Sequence, residues 1–360
     1  MVRPVLAAQQ ANVESVSVIS RQAEFYHGWP TVAADRQGNL LVSYSGGREA
    51  HICPFGRVEL IRSSDSGQSW SWPEVILDTP IDDRDSGILV TPSGSLLITT
   101  FTSLAFESVL DHAKNWPADR LARWQSVNQR TSDKQRNYLL DTWMLRSTDG
   151  GMTWSAPYRV PLNSPHGPVV LSDGRLLYAG KQLWTSGKKV GVCESKDDGR
   201  TWNWLADIPA RPSDTVVQYH ELHAVEARDG TIIVQIRNHN SPNTGETLQC
   251  ESHDGGKSWT VPHPIGVWGL PSHLLRLRDG RLLMSYGYRR SPFGNQARLS
   301  ADNGKTWSEP LVISSDGAGG DLGYPATVEL SNGKLVTVWY ESMKGSPHAV
   351  LRQAQWSISG

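Results

Sequence analysis

The chain has 360 residues, with 35 Lys plus Arg set against 36 Asp plus Glu, a formal net charge of −1. That balance offers no basic footprint for a nucleic-acid partner, and no apolar run is long enough to span a membrane. Low charge together with 33 glycines and 15 tryptophans suits one large all-β domain with many tight turns.

The N-terminal stretch MVRPVLAAQQANVESV lacks the apolar h-region of a secretory signal, so it reads as a cytoplasmic start or as an exported chain whose signal has been removed. Next comes a strand pattern, VESVSVISR. From there a repeat takes over. Six segments carry an apolar run, a Gly-containing turn and a second apolar run, the pattern of a tight β-hairpin. They are PTVAADRQGNLLVSY, SGILVTPSGSLLITT, HGPVVLSDGRLLYAG, LHAVEARDGTIIVQI, SHLLRLRDGRLLMSY and PATVELSNGKLVTVW. Their turn glycines are Gly38, Gly94, Gly174, Gly230, Gly280 and Gly333. An octapeptide, Ser-x-Asp-x-Gly-x-Ser/Thr-Trp, follows each of the first five: SSDSGQSW, STDGGMTW, SKDDGRTW, SHDGGKSW and SADNGKTW. Its Asp can bond backbone N–H groups in its own turn, its Gly can turn left-handed, and its Trp anchors the turn.

Self-similarity near fifty residues predicts a six-bladed β-propeller of four-stranded antiparallel blades, spanning 1–360 as one domain. The last blade takes its third strand from HAVLRQAQWSI and its fourth from the N-terminal VESVSVISR, which closes the ring. Blade 2 is longer than the rest. Residues 104–139 carry apolar spacing near 3.6 in AFESVLDHAKNW and LARWQSV, which predicts a partly helical insert leaving the strand-two end. Cys53, Cys193 and Cys250 read as buried reduced thiols.

Strands alternate in direction, so the hairpins and octapeptides lie on one face. The starts of the innermost strands converge on the other face, which is the default place for a site. Counting back nine residues from each turn glycine gives Trp29, Asp85, Pro165, Glu221, Pro271 and Tyr324. A column facing bulk core should be apolar, yet this one holds two carboxylates and a tyrosine. Neighbouring columns add His27, His166, His220, His223 and His273. Strand-two ends add Arg48, Arg237 and the pair Arg289–Arg290. Guanidinium groups above such a ring suit a carboxylate ligand, which they bind bidentately. His220 and His223 lie three apart on a predicted strand, so they face opposite ways and predict no metal site. No cofactor motif is present.

In its octapeptides and in part of this constellation the chain resembles the sialidase superfamily, whose Asp boxes share the octapeptide pattern. The resemblance implies a tyrosine nucleophile, here Tyr324 in DLGYPATVEL, and an assisting glutamate, here Glu221 in YHELHAVEA. It implies carboxylate-binding arginines at Arg237 and Arg290, and it matches Arg48 to a first-blade arginine. Two departures stand out. Gly28-Trp29-Pro30 occupies the place of the first triad arginine, and GREAHICPFG has no aspartate where the acid/base residue should be.

Those departures predict that sialic acid is a poor substrate, that Trp29 offers a stacking wall for another sugar, and that Glu49, His51 or Asp85 supplies the acid. The resulting expectation is an exo-acting glycoside hydrolase. Two alternatives use the same residues: a polysaccharide lyase working through His and Tyr, and a non-catalytic carbohydrate-binding propeller.

Overall fold

A computed structural model describes residues 9–359. The first part of the stretch read for a leader, residues 1–8, lies outside it. Six antiparallel four-stranded sheets form the fold. Blade 1 runs through Tyr26–Ala34, Leu40–Arg48, Arg57–Ser63 and Glu74–Leu77. Blade 4 runs through Tyr219–Glu226, Ile232–Asn238, Glu246–Ser252 and His263–Trp268. In blade 6, Leu322–Glu329, Leu335–Ser342 and Ala349–Ser359 are completed by Gln10–Val18 from the other end of the chain. That closing pair runs in register from Gln10 opposite Ser359 to Val18 opposite Arg352. Closure leaves no strand edge at the seam between the termini.

Apolar side chains alternate along the strands and meet between sheets. Val42, Ile61 and Trp70 of blade 1 pack with Val336, Val338 and Leu351 of blade 6. Equivalent cores join blades 1 and 2, 2 and 3, 3 and 4, 4 and 5, and 5 and 6. The propeller is therefore held by six inter-blade cores arranged around the axis.

Every hairpin glycine has positive φ, from 80° at Gly333 to 91° at Gly280, where a Cβ would be strained. The Asp boxes work as self-contained turns. In blade 2 the Ser147 hydroxyl donates to Asp149 at 2.8 Å and accepts the Gly151 N–H at 2.8 Å. Asp149 also accepts the Thr153 N–H at 2.9 Å and the Thr153 hydroxyl at 2.5 Å. The other four boxes repeat this pattern. Asp198, in the blade-3 box, accepts the Ser93 hydroxyl of the blade-2 hairpin at 2.7 Å, so boxes and hairpins share one face. Asp149→Ala should therefore lower Tm by a few degrees through lost turn hydrogen bonds. Any activity at the inner-strand starts should not change, because the box lies on the opposite face. Thermal melts and kinetics on the same sample check this.

The insert forms three helices, Ala105–Asp111, Ala118–Arg130 and Asp133–Leu139. Ser132 and Gln135 make a reciprocal capping box at the start of the third. Phe106, Trp124 and Val127 form a seventh core with Cys53 and Ile81. None of the helices is long and apolar enough to cross a membrane. All three cysteines are free and buried.

Candidate active site

The inner strands of blades 1, 2, 4 and 6 share one irregularity. Their register slips by one residue at Gly28/Thr31, Arg84/Gly87, His220/His223 and Gly323/Ala326. At each slip the column residue has a left-handed backbone: Trp29 at φ 55°, Asp85 at 44°, Glu221 at 47° and Tyr324 at 53°. A bulge of this kind re-aims a side chain, and a non-glycine residue held there costs of order 1–3 kcal/mol. Four equivalent strained bulges, all carrying the residues of one column, mark the place where the fold spends stability on position.

Their side chains meet. The Tyr324 hydroxyl donates to Glu221 Oε1 at 2.5 Å. Arg237 donates to Glu221 Oε2 at 2.6 Å and approaches the Tyr324 hydroxyl at 3.4 Å. The Glu221 and Arg237 side chains keep 18% and 15% of their surface exposed, so a ligand can reach them. Burial pushes the Tyr324 phenol well above its ordinary range, and the Glu221 and Asp85 carboxylates push it further. Burial also pushes Glu221 up, but Arg237 and the Tyr324 hydrogen bond outweigh it and hold the carboxyl below its ordinary range. The resting pair is a neutral phenol against a carboxylate. Asp85, buried on the same axis and influenced by Arg84 and Glu221, is raised to about 7, chiefly by burial.

Three guanidiniums surround this centre. Arg237 comes from the end of strand two in blade 4. Arg289 lies 5.8 Å from the Tyr324 ring centroid and donates to the Leu322 carbonyl at 2.8 Å. Arg84 lies 4.5 Å from the Trp29 ring centroid. Arg290, expected here, instead stacks on Trp268 at 3.7 Å on the exterior, because consecutive residues leaving a strand point opposite ways. Arg84 was not anticipated, although a signal exists: ten residues before the turn glycine, the register that holds Gly28 in blade 1 holds Arg84 in blade 2. The missing first-blade arginine is therefore no deficit of positive charge at the axis. Beside Gly28, the Tyr26 ring stands 3.2 Å from where a Cβ would be.

Several expected ligand contacts turn out to be internal supports. Arg48 is fully buried, paired with Asp82 at 2.6 and 3.0 Å, and donates to the carbonyls of Ala50, His51 and Asp83. It clips the loop that follows its own strand. Trp29 is only 1% exposed, with Arg48, Arg84, His51 and Tyr324 around its ring, so it is a platform rather than a stacking wall. His27 is buried against Tyr44. His166, His223 and His273 form a buried cluster with ring centroids 4.6–5.4 Å apart, His223 stacked on His273 and His166 edge-to-face with both. They tie inner strands together: His223 Nδ1 accepts the Leu274 N–H at 2.9 Å, and His273 Nδ1 accepts the Thr327 N–H at 3.4 Å. The histidines of the neighbouring columns are buried core, and His223 and His273 are hydrogen-bonded to backbone there. Only His220 stays near the surface of the site, stacked at 4.5 Å on His239 and 3.4 Å from Lys181 Nζ. Among the described residues no group of three His, Cys, Asp or Glu could hold a metal ion.

The acid candidates also separate. Glu49 is spent on the insert, with Trp124 Nε1 at 2.9 Å, Arg123 at 3.0 Å and Arg120 at 3.5 Å. That contact shows what the insert does: it buttresses the loop after the second strand of blade 1. His51, on the same loop, stays half exposed. Its Nδ1 lies 3.1 Å from Asp321 and 2.9 Å from the Tyr26 hydroxyl. Asp321 was missed as well. It occupies, in blade 6, the register that Tyr26 occupies in blade 1, twelve residues before the turn glycine.

Residues 109–337 match the BNR repeat-like domain family. The chain is 24% identical over 348 residues to a sialidase from Bacteroides fragilis (strain YCH46), covering 87% of this chain and 59% of that one. It spans less than two thirds of the length of the curated sialidases it matches. A crystal structure of a protein of unknown function from Dyadobacter fermentans superposes with a TM-score of 0.79 at 22% identity, covering 98% of this chain and 100% of that one. An intramolecular trans-sialidase from Ruminococcus gnavus superposes with a TM-score of 0.64 at 14% identity, covering 96% of each chain.

Proposed function

The chain belongs to the BNR repeat-like domain family, a six-bladed propeller of the sialidase superfamily, and we propose that it is an exo-acting glycoside hydrolase for a terminal acidic sugar. One observation carries the reading: a buried phenol, a carboxylate and a guanidinium joined at 2.5 and 2.6 Å on the axis. A phenol is a weak nucleophile near neutral pH and needs an adjacent base. Glu221 stands where it can take the Tyr324 proton as the oxygen attacks the anomeric carbon. Arg237 keeps Glu221 ionised until then. A neutral nucleophile also avoids repelling a carboxylate on the sugar, and tyrosine is a documented exception to the two-carboxylate scheme.

The charge around the pair supports an anionic ligand. Arg237 is paired with Glu221, and Arg84 lies 3.6 Å from Asp82, a carboxylate it shares with Arg48, while Arg289 has no carboxylate partner among the described residues. Arg84 Nε and Arg237 Nε are buried without a hydrogen-bond partner. A buried unpaired donor is costly, and an incoming carboxylate would satisfy it. The histidines that a lyase would require are mostly committed to the core: His166, His223 and His273 are buried beneath the site.

The test is a panel of 4-nitrophenyl hexuronides, sialosides and neutral glycosides, with acidic oligosaccharides alongside. Sialosides belong in it because Arg84 supplies a cation that the first blade lacks. Release of a free acidic sugar is expected, with neutral glycosides roughly 100-fold slower. An unsaturated product absorbing in the near ultraviolet would point to a lyase, and binding without any product to a carbohydrate-binding propeller.

A further inference from the structure

We infer that His51, oriented by Asp321, is the general acid/base of this site, in place of a carboxylic acid. The inference rests on the hydrolase reading above. It starts from a shortage: the loop after the first blade's second strand carries no aspartate, and its one glutamate, Glu49, is held by Arg120, Arg123 and Trp124 of the insert. The same loop presents His51 edge-on to Trp29, with ring centroids 5.0 Å apart, and Trp29 lies 6.4 Å from Tyr324 by the same measure. His51 is therefore an exposed titratable side chain separated from Tyr324 by one ring, that of Trp29.

Its orientation is built. A carboxylate can only accept, so the His51 Nδ1–H donates to Asp321 Oδ1 at 3.1 Å. Asp321 also accepts the Tyr26 hydroxyl at 3.0 Å and the Tyr340 hydroxyl at 3.1 Å. Burial pushes this carboxyl up, and its hydrogen bonds from His51, Tyr26 and Tyr340 outweigh that and keep it ionised. The titratable groups touching the His51 ring are Tyr26 from blade 1 and Asp321 from blade 6, with Arg48 on the His51 carbonyl and Tyr340 one step away on Asp321. Arg48 fixes the His51 carbonyl at 2.9 Å and the insert fixes Glu49, so the loop is clamped on both sides of the ring. With Nδ1 committed, Nε2 is left for the substrate.

The chemistry balances. As Tyr324 Oη bonds to the anomeric carbon and Glu221 takes the phenol proton, protonated His51 gives its Nε2 proton to the departing glycosidic oxygen. In the second half His51 takes a proton from water, the hydroxide oxygen bonds to the anomeric carbon, and Tyr324 leaves with the proton held by Glu221. The sum is glycoside plus water to free sugar plus alcohol. His51 is the catalytic residue in this scheme, and Asp321 is a positioning residue.

The experiment compares 4-nitrophenyl and methyl glycosides of the acidic sugar that the wild-type chain cleaves, using His51→Ala, His51→Gln, Asp321→Asn, Asp85→Asn and Tyr324→Phe. A nitrophenolate leaves without much protonation, whereas an alkoxide does not. Both His51 variants should lose roughly 100-fold or more in kcat/KM on the methyl glycoside and about tenfold or less on the nitrophenyl one. Added imidazole should restore part of the His51→Ala loss. Asp321→Asn should reproduce the same selectivity in weaker form and alter the alkaline limb of the pH profile. Equal losses on both substrates, no loss at all, or the selective loss appearing in Asp85→Asn instead would overturn the assignment and leave the hydrolase reading intact. Wild-type inactivity on every probe, or turnover surviving in Tyr324→Phe, would overturn both.

Discussion

Tyr324→Phe is expected to lower kcat by roughly 10⁴-fold while leaving the fold, and ligand binding to within about tenfold, unchanged. The substitution removes one oxygen. The ring remains packed in the core formed by blades 1 and 6, and the left-handed backbone at φ 53° meets the same Cβ as before. Glu221 keeps its 2.6 Å bond to Arg237, so the carboxylate is not left unpaired. What disappears is the atom that would bond to the anomeric carbon. A lyase using histidine as its base, or a binding module, would respond differently, the first by a partial loss and the second with no turnover to lose. Near-normal kcat in Tyr324→Phe would remove the covalent mechanism.

A steep loss of stability between pH 6.5 and 5.5 is the second large effect expected. Burial is the main cause holding His27 and His220 at about 4 and His273 at about 3, and it keeps His166, His223 and His239 below the ordinary imidazole range. The unfolded chain takes up protons at these rings near pH 6.5 and the folded chain does not. Their contribution is therefore complete above that pH and is lost as pH falls toward the folded values. Asp83 and Asp85 run the other way, because burial raises them and the folded state binds their protons first. His27, His220 and His273, with folded values near 4, 4 and 3, each change stability by about 1 kcal/mol over that unit of pH, and Asp85 offsets about one of them, which leaves roughly 2 kcal/mol; His166 and His223 add to the fall and Asp83 opposes it. Against a typical total of about 5–15 kcal/mol this is large. Tm measured from pH 7.5 to 5 should fall sharply, and His273→Asn should make the fall shallower. A flat Tm across that range would contradict the protonation states assigned to the axial cluster.

The propeller was legible because its signals are local and repeated. A glycine turn fixes each hairpin, an octapeptide closes on itself, and counting back nine residues places Glu221 and Tyr324 in one column. The helical insert was legible from its change of period. What sequence could not weigh was competition among polar groups. Arg48 and Glu49 look like free ligands in a line of text, but Asp82 and the insert arrive from elsewhere and use them. The axial histidines look like a binding surface until backbone N–H groups of adjacent blades are found on His223 and His273. Arg84 and Asp321 stayed hidden for the opposite reason. Each is an ordinary charged residue beside a strand start, and only the left-handed bulges turn those starts toward a common axis.

The most direct measurement is covalent capture. An activated fluorosugar of the cleaved class, incubated with the wild-type chain and followed by proteolysis and mass spectrometry, should leave one sugar on the peptide containing Tyr324. The adduct should be absent from Tyr324→Phe and should slowly release active protein on dilution. A sugar attached to Glu221 or Asp85 with Tyr324 unmodified would contradict the assignment of the nucleophile.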